Sequence, residues 1–305
     1  MQQELVLIMP QCREREKRER ITQALDKALA NITVAESIEF AADLHPLRGR
    51  RLLFAIVLGE SGINLEYYAM LKTLRLHPDY LTDCVGALVV DGQSELYTKY
   101  IARELVFTAN QCGAAFIGRP LVEATGSLRN FDVIAKLRQT DVVTSYHDRV
   151  CDLTARLLRH DPQAHSARRI LALHASSRKT SNTLDLWDLV KRNLPSTEIH
   201  EIGLRNGEVA DCAGCPYTAC RHFGEHGGCF YGGVIVSEVY PAIEWCDTLL
   251  LLCPNYNDAL SANLTAFINR LTSLFYRQQF YDKLLYAIVV SGYSGSDIVA
   301  GQLIA

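Results

Sequence analysis

The sequence predicts an α/β protein with two domains, each a parallel sheet with helices on both faces. A chain of 305 residues is long for one hydrophobic core, since domains usually hold about 100 to 200 residues. In both halves, short apolar runs alternate with stretches of helical periodicity, a pattern typical of βαβ units. The apolar fraction of 49% and the charged fraction of 21% indicate an ordinary globular protein.

The first half contains four strand-like runs separated by helical stretches. Strands are expected at residues 5–9, 52–58, 85–90 and 114–117, and helices at residues 14–29 and 95–109. A helical pattern over residues 132–160 closes this half. Residues 161–167 contain a proline and several small polar side chains without periodicity, so they are expected to form a linker. The first domain is therefore predicted over residues 1–160.

The second half repeats the alternation from residue 168 to residue 305. Strands are expected at residues 170–173, 198–202, 248–252 and 284–290, and helices at residues 183–192 and 262–275. The runs 248–253 and 284–290 are apolar on both faces, as strands between two helix layers must be. Both are predicted to be central strands of the second sheet.

The two halves resemble each other in detail. Residues 89–94 read VVDGQS and residues 289–294 read VVSGYS, and a helical pattern follows each segment. The preceding apolar strand lies about 33 to 36 residues upstream in both halves, which is the size of one βαβ step. We therefore expect two domains related by duplication. Because the second half ends within the helix that follows residue 294, the second domain is expected to be truncated at its C-terminus and to lack its last strand.

Composition and charge narrow the classes of partner. The formal net charge is −3, which provides no broad basic field for a nucleic-acid backbone. The N-terminus has no basic leader and only five consecutive apolar residues, and no apolar run approaches the ~20 residues of a membrane span. A cytoplasmic protein without nucleic-acid or membrane partners is expected. Its ten cysteines are then better interpreted as thiols or metal ligands than as disulfides.

In doubly wound sheets, ligands bind beyond the carboxyl ends of the strands where the strand order reverses. The loop after the first strand of the second half spans residues 175–183, and six of its nine side chains carry a hydroxyl or amide. It leads directly into a helix, whose free N–H groups favour an anion such as the phosphate of a mononucleotide. The candidate binding residues of this loop are Ser176, Arg178, Ser181, Asn182 and Thr183.

Two further loops are expected at the same edge of the sheet. After the third strand, a stiff segment offers amides and one aromatic face for a planar ring rich in nitrogen and oxygen. Its candidate residues are Pro254, Asn255, Tyr256 and Asn257. After the fourth strand comes a turn of small residues with exposed backbone amides, formed by Ser291, Gly292, Tyr293 and Gly295. The chain has no G-x-G-x-x-G or Walker pattern, so a mononucleotide is favoured over a dinucleotide or a nucleoside triphosphate.

On these loops, residues 168–305 resemble the NADPH-dependent FMN reductase and iron–sulfur flavoprotein families, which are flavodoxin-like. The first loop is similar to their G-S-x-R-x-x-S-N-T signature, with Ala175 in place of the leading glycine. The second is similar to P-x-Y-x-x-x-x-S-A-x-L-x-x-F-I-D-R, with Asn269 in place of aspartate. The matching residues there are Pro254, Tyr256, Ser261, Ala262, Leu264, Phe267, Ile268 and Arg270. The resemblance implies a flavodoxin-like fold, bound FMN, NAD(P)H as co-substrate and a homodimer.

Four cysteines cluster within eighteen residues in an insertion over residues 212–229, with the spacing C-x2-C-x4-C-x8-C. They are Cys212, Cys215, Cys220 and Cys229. An iron–sulfur cluster, a four-cysteine zinc site and a set of reduced thiols are the alternatives, of which the cluster is favoured. His222 and His226 lie in the same segment and are alternative ligands or ordinary loop residues. The iron–sulfur flavoproteins have two residues between the second and third cysteine, where this chain has four.

These features together predict an NAD(P)H-dependent flavin oxidoreductase that passes electrons to an unidentified small-molecule or protein acceptor, in part through an iron–sulfur cluster. A flavodoxin-type electron carrier without its own reductase activity is the alternative, and a metal-stabilised interaction protein that has lost its flavin site is a third hypothesis.

No catalytic acid or base is assigned, and Arg270 is expected to be a surface or intrahelical partner. The first domain is expected to bind no cofactor, because the loops 11–18 and 59–64 lack the features of the second half.

Overall fold

The computed structural model describes residues 4–59, 61–161, 168–177 and 180–304. These residues form two compact units, with the division between residues 161 and 168.

The first unit contains a five-stranded parallel sheet. Its strands are β1 (Glu4–Ile8), β2 (Thr33–Ile38), β3 (Arg51–Val57), β4 (Val85–Asp91) and β5 (Ala115–Ala124). They lie in the order β2-β1-β3-β4-β5, and every pairing is parallel. In β3, Leu52 and Phe54 belong to the core on one face, whereas Leu53 and Ala55 belong to the core on the other. This alternation follows from the two-residue period of a strand that is buried on both sides.

Helices cover both faces of this sheet. They are α1 (Arg15–Leu29), α2 (Leu65–Leu76), α3 (Thr98–Gln111), α4 (Asp132–Arg138) and α5 (Val142–Arg159). Helices α1 and α5 pack on one face and α2 and α3 on the other. The helical stretch expected over residues 132–160 is two helices, because Gln139 adopts a left-handed conformation and the Asp141 side chain caps α5 by accepting from the Thr144 N–H at 2.9 Å.

The second unit contains a four-stranded parallel sheet. Its strands are β6 (Arg169–His174), β7 (Glu198–Gly203), β8 (Thr248–Pro254) and β9 (Leu284–Val290), in the order β7-β6-β8-β9. Its helices are α6 (Asn182–Lys191), α7 (Tyr217–Glu225), α8 (Tyr240–Trp245), α9 (Ala262–Phe275) and α10 (Ser296–Leu303). Helix α6 packs on one face, and α8, α9 and α10 pack on the other.

The first sheet has the strand order 2-1-3-4-5 of flavodoxin-like doubly wound folds, and the described residues of the second sheet have the order 2-1-3-4. The predicted fold class is therefore confirmed. The segments 89–94 and 289–294 occupy equivalent places, since each begins within the fourth strand of its sheet. This equivalence supports the predicted duplication.

The position of β9 differs from the prediction of a central strand. Among the described residues, β9 pairs only with β8 and lies at the edge of its sheet, with Leu285 58% and Tyr286 56% exposed. Strand β8 is central, as predicted. An apolar run shows that a strand favours burial, but it does not reveal which strands lie beside it. The early end of the second domain stays a prediction.

A search of the described helices for long apolar segments finds none that could cross a membrane.

Candidate functional site

Three loops of the second unit follow neighbouring parallel strands and therefore leave the same edge of the sheet. The first follows β6, the second follows β8 and the third follows β9. The carboxyl ends of β6 and β8, the first and third strands of this unit, mark the point where the strand order reverses.

The first loop connects β6 to the N-terminus of α6. Ser181 is the N-cap of this helix, and its hydroxyl accepts from the Leu184 N–H at 3.3 Å. Asn182 is exposed in the first turn and Thr183 is buried. The Ser176 Oγ is buried and has no hydrogen-bond partner among the described residues. Arg178, a predicted binding residue, lies outside the described residues.

The second loop is a tight turn that presents an aromatic ring. Pro254 ends β8, and an isolated antiparallel bridge joins Tyr256 to Ala259. The two residues between them, Asn257 and Asp258, both have positive φ values of 53° and 57°. Consecutive left-handed residues are typical of a type I′ turn, for which asparagine and aspartate are favoured. Tyr256 is 58% exposed, so its ring is outside the core.

Asn255 joins the second loop to the third, and this role was not predicted. Its amide nitrogen donates to the Ser291 Oγ at 3.0 Å, to the Ser294 carbonyl at 3.2 Å and to the Asp258 Oδ1 at 3.1 Å. Its Oδ1 accepts from the Asp258 N–H at 2.8 Å. These contacts engage the amide within the protein and position the two loops, and the expectation that it faces a planar ring stays a prediction.

The third loop is a closed turn with one freely projecting ring. The Ser291 hydroxyl donates to the Ser294 carbonyl at 2.8 Å, Gly292 is exposed and Tyr293 is 97% exposed. Gly295 has a φ of 91°, and a Cβ on it would lie 1.8 Å from the Asp258 Oδ1. Only glycine therefore permits this approach of the two loops.

The donors at this edge fit the phosphate of FMN. Besides Ser176, the Ser261 Oγ at the start of α9 is buried without a hydrogen-bond partner in the described part of the chain. Buried hydroxyls are normally hydrogen-bonded, so such groups point to a ligand. The hydroxyl of Ser176 lies in the loop that leads to the N-terminus of α6, where unpaired N–H groups favour an anion.

The four-cysteine insertion surrounds a separate cavity of about 300 Å³. Cys212, Cys215, Cys220 and Cys229 all line this cavity. The other lining side chains are mainly aromatic and include Tyr217, Phe223, Phe230, Tyr231 and Tyr276. All four thiols are free. The four predicted ligands thus border one cavity, and the prediction that they lie close together beside the flavin site stays a prediction.

The thiols border the cavity without converging on one point. Burial raises the pKa of the Cys220 thiol, and the neighbouring Cys212, Cys229 and Cys215 raise it further. Yet the described residues contain no group of three or more cysteine, histidine, aspartate or glutamate side chains placed to hold a metal ion. The prediction of metal ligands thus gains no support from this geometry. His226 Nδ1 lies 2.6 Å from the His222 carbonyl oxygen.

Arg270 was expected at the surface or within the helix, and this expectation was wrong. It is only 2% exposed, and its guanidinium donates to the Ala210 carbonyl at 3.2 Å and the Gly232 carbonyl at 2.7 Å. These carbonyls stand on either side of the cysteine segment. The Arg270 Nε is buried without a partner among the described residues, and Arg270 lines the cysteine cavity.

Two more side chains of α9 hold the segment that leads from β7 to the cysteines. Asn263 donates to the Leu204 carbonyl at 2.8 Å, and Asn269 donates to the Asp211 Oδ1 at 3.0 Å. The hydrogen bond from Asn269 lowers the pKa of Asp211, and the Cys212 N–H contributes to the same effect. An aspartate at position 269, as in the family pattern, would repel Asp211. The departure from the pattern therefore has a local electrostatic reason.

The equivalent edge of the first unit is closed by a buried ion pair. Asp91 ends β4 and is fully buried, and Arg20 of α1 approaches it at 3.0 Å from Nε to Oδ2. The same guanidinium donates to the Gly92 and Gly126 carbonyls, and the Tyr146 hydroxyl donates to Asp91 at 3.3 Å. These contacts occupy the polar groups of the edge internally. The expectation that this unit binds no cofactor stays a prediction.

Comparison with known proteins gives the same family as the loop sequences of the second unit. Residues 168–305, somewhat less than half of the chain, match the family described as NADPH-dependent FMN reductase. A comparison with curated proteins finds no significant match. The family match confirms the resemblance drawn from the sequence, and it supports NAD(P)H-dependent flavin reductase activity for the second unit.

Proposed function

We propose, from the membership of the second unit in the NADPH-dependent FMN reductase family, that the protein is an NAD(P)H-dependent oxidoreductase that carries FMN and reduces a separate acceptor. The observation that carries the proposal is the buried, unpartnered hydroxyl of Ser176 in the loop between β6 and α6. FMN supplies hydride acceptance from the nicotinamide and electron transfer to the acceptor.

In this proposal, the residues of the chain bind FMN and orient it. Ser176 and the N-terminus of α6 hold the phosphate, and Tyr256 and Tyr293 present exposed rings from the two other loops. Asn255 keeps those two loops together. No side chain is assigned as acid or base, because hydride transfer to a flavin leaves the protein the tasks of binding and orientation.

The first prediction concerns Ser176→Ala. We expect it to weaken FMN binding by about 1 to 3 kcal/mol, because one hydrogen bond to a charged phosphate is lost. The stability of the FMN-free protein should be unchanged or slightly raised, because the hydroxyl has no partner among the described residues. Fluorescence titration with FMN and urea unfolding of the FMN-free protein measure the two effects.

Anaerobic mixing with NADPH or NADH tests the activity itself. The yellow colour of bound FMN should bleach rapidly in the wild-type protein, and Ser176→Ala should need more FMN to reach the same rate. FMN that binds but is not reduced by either nucleotide would favour the flavodoxin-type carrier. A wild-type protein that binds no FMN would contradict both readings.

We further propose that Cys212, Cys215, Cys220 and Cys229 ligate an iron–sulfur cluster that passes electrons singly to the acceptor. The support is a cavity lined by all four thiols and by the guanidinium of Arg270, whose positive charge favours thiolate ligands. The proposal rests on the shared cavity and on the charge of Arg270, since the thiols border the cavity without surrounding one metal position.

The cysteine cavity and the proposed flavin site lie at different positions along helix α9. Helix α9 begins at Ala262, and Arg270 lies eight residues further on, which corresponds to about 12 Å along the helix axis. The cysteines are therefore proposed as a relay between the flavin and the acceptor.

The second prediction concerns metal content. Protein purified without oxygen should contain iron and acid-labile sulfide, and Cys215→Ser together with Cys220→Ser should abolish both while FMN binding persists. Iron and sulfide analysis beside the FMN absorbance checks this. A protein that holds FMN but neither iron nor sulfide under these conditions would show that the cysteines are thiols only, and the flavin proposal would stand.

A further inference from the structure

A buried histidine stands at the entrance to the first loop. His174 is the last residue of β6 and only 6% exposed, and it lies between Gly203 of β7 and Leu252 of β8 in the sheet register. Its Nδ1 accepts a hydrogen bond from the Ser176 backbone N–H at 3.3 Å. The imidazole therefore holds the same residue whose hydroxyl is buried without a partner among the described residues.

This contact determines which ring nitrogen carries the proton in the neutral imidazole. Because Nδ1 accepts, the neutral imidazole carries its proton on Nε2. That nitrogen lies 3.5 Å from the Glu201 Oε1. The other oxygen of Glu201 accepts from the Trp187 Nε1 and the Lys191 Nζ, both at 3.1 Å. The carboxylate is thus anchored by α6 and orients the imidazole toward the loop.

The neighbouring strands make room for the ring. A Cβ on Gly203 would lie 3.1 Å from the His174 Cε1, so the absence of a side chain there lets the ring lie against β7. Leu252 supplies an apolar neighbour on the other side. Among the described residues, the charged groups near the ring include Glu201, which faces Nε2, and Lys191, which pairs with Glu201 and with Asp188 at 2.6 Å.

We infer that His174, held by Glu201, is a positioning residue that turns the Ser176 amide inward and its hydroxyl toward the phosphate of the flavin. The inference rests on the proposed function. Its consequence is selectivity: the histidine supports binding of the phosphorylated flavin and has no effect on the ring system. FMN should therefore be preferred over riboflavin only while Nδ1 is free to accept.

Acid reverses this arrangement. A proton on Nδ1 removes the acceptor of the Ser176 N–H, while Nε2 can still donate to Glu201. The preference for FMN over riboflavin should then depend on pH in the wild type, since the lost hydrogen bond weakens phosphate binding while the positive charge of the imidazolium attracts the phosphate. The phosphate of FMN also changes charge near pH 6, by analogy with the second ionisation of about 6 in phosphoserine. The informative quantity is therefore the difference between the wild type and a variant that cannot be protonated.

Three proteins test the inference: the wild type, His174→Leu and His174→Asn. Leucine removes the acceptor, whereas the asparagine oxygen can take the place of Nδ1. Affinities for FMN and for riboflavin are measured by fluorescence between about pH 5.5 and pH 8, which is roughly the range in which histidine titrates. Circular dichroism confirms that each variant is folded, and hydrogen exchange of the 171–177 segment reports the loop without any ligand.

We expect the preference for FMN over riboflavin to fall about tenfold in His174→Leu, the effect of losing one well-placed hydrogen bond. It should be largely retained in His174→Asn, with a flatter pH profile than in the wild type. Exchange of the Ser176 amide should accelerate only in His174→Leu. An unchanged preference in a folded His174→Leu would overturn the inference while the FMN proposal stands. A wild type that binds neither flavin would refute the proposed function itself.

Discussion

Replacing Arg270 by leucine is expected to lower the free energy of unfolding of the second unit by about 2 to 4 kcal/mol. Two hydrogen bonds from a charged donor are lost, each worth about 1.5 to 3 kcal/mol, and the removal of a buried charge offsets part of the loss. These bonds hold the Ala210 and Gly232 carbonyls on the two sides of the cysteine segment. Both tryptophans of the chain, Trp187 and Trp245, lie in this unit, so urea unfolding followed by tryptophan fluorescence measures the effect.

Arg277→Leu is the matched control for this substitution. Arg277 lies shortly after α9 and pairs at 3.4 Å with Glu244, but its side chain is 54% exposed, so its loss should cost less than about 1 kcal/mol. The cysteines should also react faster with a thiol reagent in Arg270→Leu than in Arg277→Leu. Equal stability and equal thiol reactivity in the two variants would show that Arg270 does not hold the segment.

Asp91→Ala is expected to destabilise the first unit by about 3 to 5 kcal/mol, because removing one member of a buried ion pair leaves the other charge uncompensated. Arg20 would keep its two carbonyl partners but lose its three hydrogen bonds to the carboxylate, two from Nε and one from Nη2. Since the chain's tryptophans are in the second unit, circular dichroism is the appropriate signal for urea unfolding here.

Asp79→Ala, at an exposed aspartate, is the control for Asp91→Ala. Asp79 pairs with Arg48 at 2.6 Å, with both side chains more than half exposed, so Asp79→Ala should cost no more than about 1 kcal/mol. FMN affinity should be the same in both variants. A cost for Asp91→Ala as small as that for Asp79→Ala would mean that the ion pair does not stabilise the first unit.

Every strand except β2 could be predicted, because apolar runs of this length suit burial between helices. Strand β2 (Thr33–Ile38) was missed, because it lies at the edge of its sheet with half of its residues exposed and contains no apolar run. Strands β8 and β9 nevertheless have similar apolar sequence patterns, although only β8 is central. The position of a strand depends on its neighbours, which are distant in the sequence. The break between α4 and α5 depends on one left-handed residue, Gln139, and glutamine does not by itself predict such a conformation.

The loops of the candidate site could be predicted because each directly follows a strand. The partners of individual side chains could not. The bonds of Asn255 within the protein are an example, since they depend on a turn with two left-handed residues that brings Asp258 back to it. His174 and Arg270 were missed because their contacts come from other elements. The available signals were a histidine ending an apolar strand and an arginine on the apolar side of α9.

Helix α9 acts as a rigid rod between the two regions of chemistry in the second unit. Its N-cap, Ser261, has a buried hydroxyl without a hydrogen-bond partner among the described residues, and its middle contains Arg270, which holds the cysteine segment. A continuous α-helix resists stretching along its axis because every turn is closed by backbone hydrogen bonds. One continuous element of secondary structure therefore sets the distance between the edge of the sheet and the cysteine segment.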